Sequence, residues 1–219
     1  MERAGFKEWA IVCEALGAGR QSIILRKGGI AEGRQGFSFK HREFFLFPTW
    51  FHEQPEKVMG TWAGQDSPSQ NAELSEPDGQ LTSNVERPTQ TTVENISGEA
   101  LIEIRYSARL ESARTITSWD MAEALQPLHI LKPEVIEERF NYDDAPGLHV
   151  AFVRVFRLIP SWYLPNEKKY GGCRSWVDLP EMPNDVRLEA VLSDQEHSRK
   201  LGEFVAILGE QVTTESPSP

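Results

Sequence analysis

The residues with the clearest chemical potential lie in one short segment, Ile23 to Glu53. There Arg26 and Lys27 are followed by the pair Gly28-Gly29. Glycine adopts backbone angles that other residues avoid, so the amides of such a pair can converge and cradle an anion beside two cations. The alternative is an ordinary turn with solvated charges, because paired glycines most often mark turns.

A second set of residues in the same segment could act as acids and bases. In a hydrolase or nuclease, His52 or His41 would be the general base, and Glu53 or Glu32 would position water or a metal ion. The histidines do not have metal-ligand spacing. The sequence contains no glycine-rich dinucleotide motif, phosphate-binding loop or nucleophile elbow, and it assigns no cofactor or metal. A lone histidine is more often a hydrogen-bonded structural residue.

Two short strands are expected to position these candidates. The apolar runs Ile23–Leu25 and Phe44–Phe47 each have the length of a buried strand. Pro48 is expected to end the second strand, and Thr49 is a typical N-cap for a short helix that would end near Val58. If the strands pair as neighbours, the glycine turn and the start of this helix come close together.

Further candidates for an anion site come from the second half of the chain. Leu148–Ile159 has apolar residues on both faces, which indicates a central strand, and Arg154 lies among them. A buried guanidinium needs a carboxylate or carbonyls, so Arg154 is either a structural ion pair or an anion-binding arginine. Arg174 and Trp176 lie at the start of a predicted strand, Ser175–Leu179. The tryptophan could stack a base or simply cover the core.

Local signals predict the remaining elements. The first helix is expected to present an apolar face at three- and four-residue steps, with Cys13 as a small buried residue; this face is formed by Phe6, Trp9, Ala10, Cys13 and Leu16. The last helix is expected to start at a capping box, Ser193–Glu196, and to end at Gly209. A half-buried strand and two short helices are predicted between them: Leu101–Tyr106, Trp119–Leu125 capped by Thr117, and Pro133–Phe140.

The charge of the chain is unevenly distributed. The 219 residues carry a net charge of −10, which argues against a general DNA or membrane binder. Thr61–Gly98 holds six acids and one base, and the tail from Glu210 adds two acids, so the remainder is near −3. A local basic site is compatible with that remainder.

Composition also predicts the domain organisation. Ala63–Thr91 is rich in Ser, Thr, Gln, Asn and Pro, so it is expected to be a disordered acidic insert within one domain made of residues 1–62 and 92–210. Residues 211–219 are expected to form a disordered tail. Two widely separated cysteines and no long apolar run favour a soluble protein of the reducing cytoplasm, with no membrane contact.

Several sequence blocks, in the same order, resemble one family of bacterial proteins, grouped as domain of unknown function 1802. The resemblance covers nearly the whole chain apart from the insert and the tail, and it implies no activity. The blocks are KEWA (Lys7–Ala10), CEALG (Cys13–Gly17), LRKGGI (Leu25–Ile30), FLFPTWFHEQ (Phe45–Gln54), VRVFRL (Val153–Leu158) and YGGCRSWVDL (Tyr170–Leu179).

These observations predict an α+β domain in which helices flank a small mixed sheet of four to six strands, or a partly closed barrel. The arrangement is similar to the small RNA-binding barrels of pseudouridine synthases and archaeosine transglycosylases, which is an analogy of fold only. One hypothesis is a binding module for a nucleotide or single-stranded nucleic acid. Its site would comprise Arg26, Lys27, Gly28, Gly29, Thr49, Arg154, Arg174 and Trp176. The others are the histidine–carboxylate hydrolase and a scaffold whose acidic insert recruits partners.

Overall fold

The computed structural model describes residues 1–27, 37–50, 54–60, 92–94 and 100–209. Within these ranges the chain forms one α+β domain with eight strands and four α-helices. The strands are β1 (Ala4–Trp9), β2 (Ile23–Arg26), β3 (Glu43–Thr49), β4 (Thr92–Glu94), β5 (Ala100–Ile116), β6 (Leu148–Pro165), β7 (Trp176–Asp178) and β8 (Arg187–Ala190). The helices are α1 (Ala10–Gly17), α2 (Trp119–Ala124), α3 (Pro133–Phe140) and α4 (Asp194–Leu208).

One mixed sheet joins all eight strands, more than the four to six expected. Its order is β2-β6-β5-β3-β1-β7, with β4 on β5 and β8 on β6. β1 and β3 run parallel, and the other pairs are antiparallel. β5 and β6 pair along most of their length, with two register shifts that favour local twist.

The sheet curls so that its outermost strands approach each other. The Arg26 guanidinium at the end of β2 donates to the Ser175 hydroxyl, one residue before β7, with its Nη2 3.2 Å from that Oγ. Arg26 also lies over the Phe6 ring of β1, 5.4 Å from its centroid. Among the described residues no backbone pairing joins β2 to β7, so side chains bridge the seam of a partly closed sheet.

Two apolar clusters fill the domain. The larger one contains α1, the inner faces of α3 and α4, and the central strands, and Phe152 of β6 lies in it with no exposed surface. Its ring packs 5.3 Å from those of both Phe204 and His197 of α4. Phe45, Phe47 and other residues of the opposite face form the smaller cluster. The prediction that Leu148–Ile159 is a central strand is confirmed, although β6 continues to Pro165.

The N-terminal prediction was wrong in one respect. Residues 4–9 form a strand, and only Ala10–Gly17 is helical. β1 lacks the alternating pattern of a half-buried strand because both of its faces are covered. Phe6 packs into the larger apolar cluster, and the Gly5 position on the other face lies against Val177 and Leu179. Cys13 is buried, as predicted.

The predicted helix cap at Thr49 was also wrong. Thr49 is the last residue of β3, and its hydroxyl donates to the Glu8 carbonyl over 3.0 Å. Pro48 lies inside the strand, opposite Glu8 in the parallel ladder, rather than ending it. A 3₁₀ helix follows at Gln54–Lys57.

Elements with strong local signals were predicted well. α3 begins at Pro133 and ends at Phe140, and both hydrogen bonds of the Ser193–Glu196 capping box are present. The N-cap of α2 is Ser118 rather than Thr117. The predicted insert 63–91 and tail 211–219 lie outside the described residues. None of the helices in the described ranges is long and apolar enough to cross a membrane.

Candidate anion-binding site

Lys7 is a buried cation at the carboxyl-terminal half of β1. It is 8% exposed, and its Nζ donates to the Gly172 carbonyl over 2.9 Å. Burial lowers the pKa of the Lys7 ammonium, and the positive charges of Arg174 and Arg26 lower it further, whereas Cys173 opposes the shift. The fold therefore holds this ammonium among like charges.

Arg26 reaches the same region from the opposite edge of the sheet. Besides its two contacts with the Ser175 hydroxyl, 3.3 Å from Nε and 3.2 Å from Nη2, it faces the Phe6 ring. A hydroxyl and an aromatic face leave the charge of a guanidinium uncompensated. Arg26 can therefore still accept an anion as a partner.

Arg139 comes from the last turn of α3. Its Nη1 donates to the Leu25 carbonyl over 2.9 Å, and its guanidinium lies 4.4 Å from the centroid of the Trp9 ring. Burial lowers the pKa of Arg139, and Arg26 lowers it further, while Glu8 opposes the shift. Arginine nevertheless stays protonated, so Arg139 adds a fixed positive charge.

Arg174 is the exposed member of the group, in the loop before β7. Within the described ranges it makes no hydrogen bond or ion pair. Together with the three cations above it forms what we call the basic cluster: Lys7, Arg26, Arg139 and Arg174. Glu8 is a buried carboxylate beside the cluster, and its Oε1 accepts a hydrogen bond from the Trp9 amide at 2.8 Å. The cluster therefore has more positive than negative charge.

Lys27 follows Arg26 but points into a neighbouring loop. Its Nζ lies 2.9 Å from Asp143 Oδ1 and donates to the carbonyls of Phe140 and Ala145. The hydrogen bond from Lys27 lowers the pKa of Asp143. Lys27 thus ties the end of β2 to the end of α3, next to Arg139. The predicted partners Gly28 and Gly29 lie outside the described residues.

The structure does not bring Arg154 to the basic cluster. Its guanidinium pairs with Asp194 at the start of α4, which agrees with the structural ion pair considered from the sequence. Arg26 pairs with His149 in the β2–β6 ladder, and Arg154 lies five residues farther along β6, about 16 Å away. Thr49 reaches the cluster only indirectly, through its hydrogen bond to the backbone of Glu8.

Trp176 forms an aromatic wall next to the cluster. Its ring meets Phe6, Phe44 and His41 edge-on, with centroids 4.9, 5.2 and 4.8 Å apart. Its Nε1 donates to the Ser38 carbonyl at 3.3 Å. Arg26 also packs on the Phe6 ring, so Trp176 and Arg26 contact the same aromatic side chain at the seam between β2 and β7.

His41, a candidate base of the histidine–carboxylate hypothesis, contacts a carboxylate other than the predicted ones, Glu2. The His41 Nδ1 lies 2.5 Å from Glu2 Oε2, and the other Glu2 oxygen accepts the amides of Arg42 and Glu43. The described residues contain no group of three side chains that could hold a metal ion. His52, Glu53 and Glu32 lie outside the described residues.

Comparison with protein families gives one decisive match. The model of the family described as Domain of unknown function (DUF1802) matches residues 5–203, which include the whole basic cluster. The chain belongs to this family. The family that the sequence blocks predicted is thereby confirmed.

Comparisons with individual proteins show less. No curated protein matches the DUF1802 chain. Among solved structures, the crystal structure of ASCH from Zymomonas mobilis aligns with 9% identity and a TM-score of 0.39, over 91% of this chain and 93% of that one. A mutant of that protein, ZmASCH Y47F, aligns with 10% identity and a TM-score of 0.38, over 92% and 97%. Likenesses of this strength assign neither ligand nor activity.

Sequence reasoning identified Arg26 and Arg174 in this DUF1802 protein but missed Lys7 and Arg139. Lys7 fell within the predicted first helix but not on its apolar face, and Arg139 was one charge among several in the predicted helix Pro133–Phe140. If β1 had been predicted as a strand buried on both faces, Lys7 would have stood out as a candidate, because a lysine in such a strand is rare. No local pattern marks Arg139.

Proposed function

We propose that the basic cluster binds an anionic ligand with a phosphate group, either a nucleotide or a segment of single-stranded nucleic acid. The observation that carries this proposal is the position of Lys7, which is 8% exposed and donates to the Gly172 carbonyl. The same short loop contains Arg174 and the Ser175 hydroxyl that accepts hydrogen bonds from Arg26. Keeping like charges together costs free energy in the unbound protein. A bound phosphate would remove that cost and would gain charge-assisted hydrogen bonds.

Arginine geometry supports phosphate as the bound group. Arg26 and Arg174 carry planar guanidinium groups that can donate to two phosphate oxygens at once, while Lys7 supplies a point charge. Lys27 belongs to the proposed site as a positioning residue, because its bonds with Asp143 hold the ends of β2 and α3 together. The amides of Gly28 and Gly29 remain proposed ligands.

Aromatic residues at the same edge support a nucleotide rather than free phosphate. Trp9 and Thr49 end the parallel pair β1 and β3, so Trp50 follows at the edge where Lys7 and Arg139 lie. Trp50 is 41% exposed, and Trp9 is partly buried under Arg139. Exposed aromatic rings beside cations are typical of sites that stack nucleic-acid bases.

The net charge of −10 favours a short or single-stranded ligand. A long duplex would be repelled by the acidic remainder of the surface, whereas a small ligand meets only the local positive charge. Binding should therefore weaken as salt increases.

The proposal can be tested by titrating nucleotides and short RNA and DNA strands at two salt concentrations. Lys7→Met and Arg174→Ala should each weaken binding about tenfold to hundredfold, as expected for charged hydrogen bonds. Arg187→Ala is the matched control, because Arg187 is an exposed arginine of β8, away from the cluster. The proposed site would be refuted if no probe binds, or if the affinity changes neither with salt concentration nor in the Lys7→Met and Arg174→Ala variants.

A further inference from the structure

A second positively charged feature adjoins the basic cluster. A cleft of about 260 Å³ opens beside β7, and Arg174 lines it as well as belonging to the cluster. The cleft is smaller than the roughly 300–1,000 Å³ that whole small-molecule ligands occupy, so it suits part of a longer ligand. Three cations and one carboxylate line it above an apolar floor: Arg3, Lys169, Arg174, Asp178, Val177 and Leu179.

The cleft and the cluster follow one face of the N-terminal strand. Arg3, Gly5 and Lys7 alternate along the extended chain, so their side-chain positions share a face. A Cβ on Gly5 would lie 2.9 Å from Val177 Cγ2, so the absence of a side chain lets the floor pack closely here. Arg3 and Lys7 are about 13 Å apart along the strand.

The cations of the cleft have partners that an incoming anion can replace. Arg3 lies 3.7 Å from Asp178, and Lys169 lies 2.8 Å from Glu167. All four side chains are at least half exposed, and exposed ion pairs contribute little free energy. Arg3 also donates its Nε to the Leu179 carbonyl, which fixes its stem and leaves the rest of the guanidinium at the cleft.

We infer that the ligand is a strand of single-stranded nucleic acid rather than a mononucleotide. One phosphate occupies the basic cluster, Arg174 holds the connecting backbone, and a second phosphate enters the cleft between Arg3 and Lys169. A separation of about 13 Å is about four axial steps of 3.4 Å, so the two phosphates lie four positions apart in a ligand of five or more nucleotides. The inference rests on the proposed function, and it adds the length of the ligand and its path across the surface.

The test compares 5′-phosphorylated oligouridylates of one, two, five and eight nucleotides, oligothymidylates of the same lengths, and inorganic tripolyphosphate. Affinity of the protein should rise at least tenfold from one nucleotide to five and then change little. Arg3→Ala and Lys169→Ala should each weaken binding of the pentamer about fivefold and lower its salt slope by about 0.7, without changing binding of the mononucleotide. Lys168→Ala is the matched control, since this neighbouring lysine does not line the cleft.

A gain-of-affinity variant guards against misfolding of the alanine variants. Asp178→Asn removes the carboxylate that competes for Arg3, so it should strengthen binding of the pentamer and leave binding of the mononucleotide unchanged. If mononucleotide and pentamer bind equally, and the three cleft variants have no effect, this inference fails while the proposed function stands. Equal or tighter binding of tripolyphosphate would also overturn it, and absence of all binding would overturn both.

Discussion

The larger apolar core and the basic cluster share the strands β1 and β2 but differ in the kind of side chain that they bring together. The core gathers side chains from α1, α4 and the central strands and excludes unpaired charge, with Phe152 at its centre. The cluster gathers four cations around the ends of β1, β2 and α3 and the loop before β7. Within the described ranges, Lys7, Arg26 and Arg139 have carbonyls, a hydroxyl and aromatic rings as partners, and Arg174 has no hydrogen bond or ion pair.

The comparison separates residues that stabilise the fold from residues that the fold keeps ready for a ligand. Burial of apolar surface lowers the free energy of the domain, whereas crowding of like charge raises it. The basic cluster can persist only because the apolar core supplies enough stability to the folded state. Variants in the two regions should therefore have opposite effects on stability and binding.

The largest expected effect is at the core. Phe152→Ala should lower the free energy of unfolding by about 3–5 kcal/mol, because it removes a fully buried ring packed against Phe204. Urea denaturation measures this loss, and Leu188→Ala, at an exposed apolar position of β8, should change stability by less than about 0.5 kcal/mol. A Phe152→Ala protein as stable as wild type would contradict the placement of the core.

A second large effect should appear at acid pH through His129. Burial, followed by the charge of Arg139, lowers the pKa of His129 from 6.5 to about 4. Between these values the unfolded chain binds a proton that the folded chain does not, so stability falls as the pH drops from 6.5 to 4, by about 3 kcal/mol.

His129→Asn tests the source of this pH dependence. The His129 Nδ1 accepts the Leu131 amide at 3.2 Å, and the asparagine Oδ1, which is likewise bonded to Cγ, can replace that acceptor without titrating. Denaturation curves of the variant at pH 6.5 and 4 should show a smaller difference than those of wild type. An unchanged difference would assign the acid sensitivity to other groups.

The contrast between the regions also explains what the sequence could predict. α3 and the start of α4 carry local signals, Pro133 at a first helical position and Ser193 three residues before a glutamate, so both were predicted correctly. Thr49 was assigned wrongly because its side-chain type suits a cap, while the strand pairing of β3 with β1 comes from distant residues.

The candidate site was only half predictable for the same reason. Arg26 and Arg174 stand out beside glycines, but Lys7 becomes unusual only when the folded chain covers both faces of β1. Arg139 joins them because it donates to Leu25, which lies far from it in the sequence. Long-range pairing determines such neighbourhoods, and a local pattern of residue types does not contain it.

A moderate effect is expected at the N-terminus of α4. Ser193→Ala removes the oxygen that accepts the Glu196 amide, so it should cost about 1 kcal/mol of stability. Thermal unfolding measures the loss, and ligand affinity should remain at the wild-type value because α4 lies away from the basic cluster. Ser193→Asp, which restores a capping acceptor, should recover most of the stability.

The smallest effect on stability should come from Lys7→Met, although its effect on binding is among the largest. Methionine keeps an unbranched side chain but removes a buried charge that lies among like charges, so at neutral pH the variant should be as stable as wild type or slightly more stable. The Gly172 carbonyl that loses its donor is exposed and can bind water.

The pKa of Lys7 is lowered in the folded state, so the folded chain releases its proton at lower pH than the unfolded chain does. Wild-type stability relative to the variant should therefore rise with pH between that lowered pKa and 10.5. Urea denaturation of both proteins at pH 7 and pH 10 measures the difference. A strongly destabilised Lys7→Met protein would show that Lys7 belongs to the core rather than to a site kept ready for an anion.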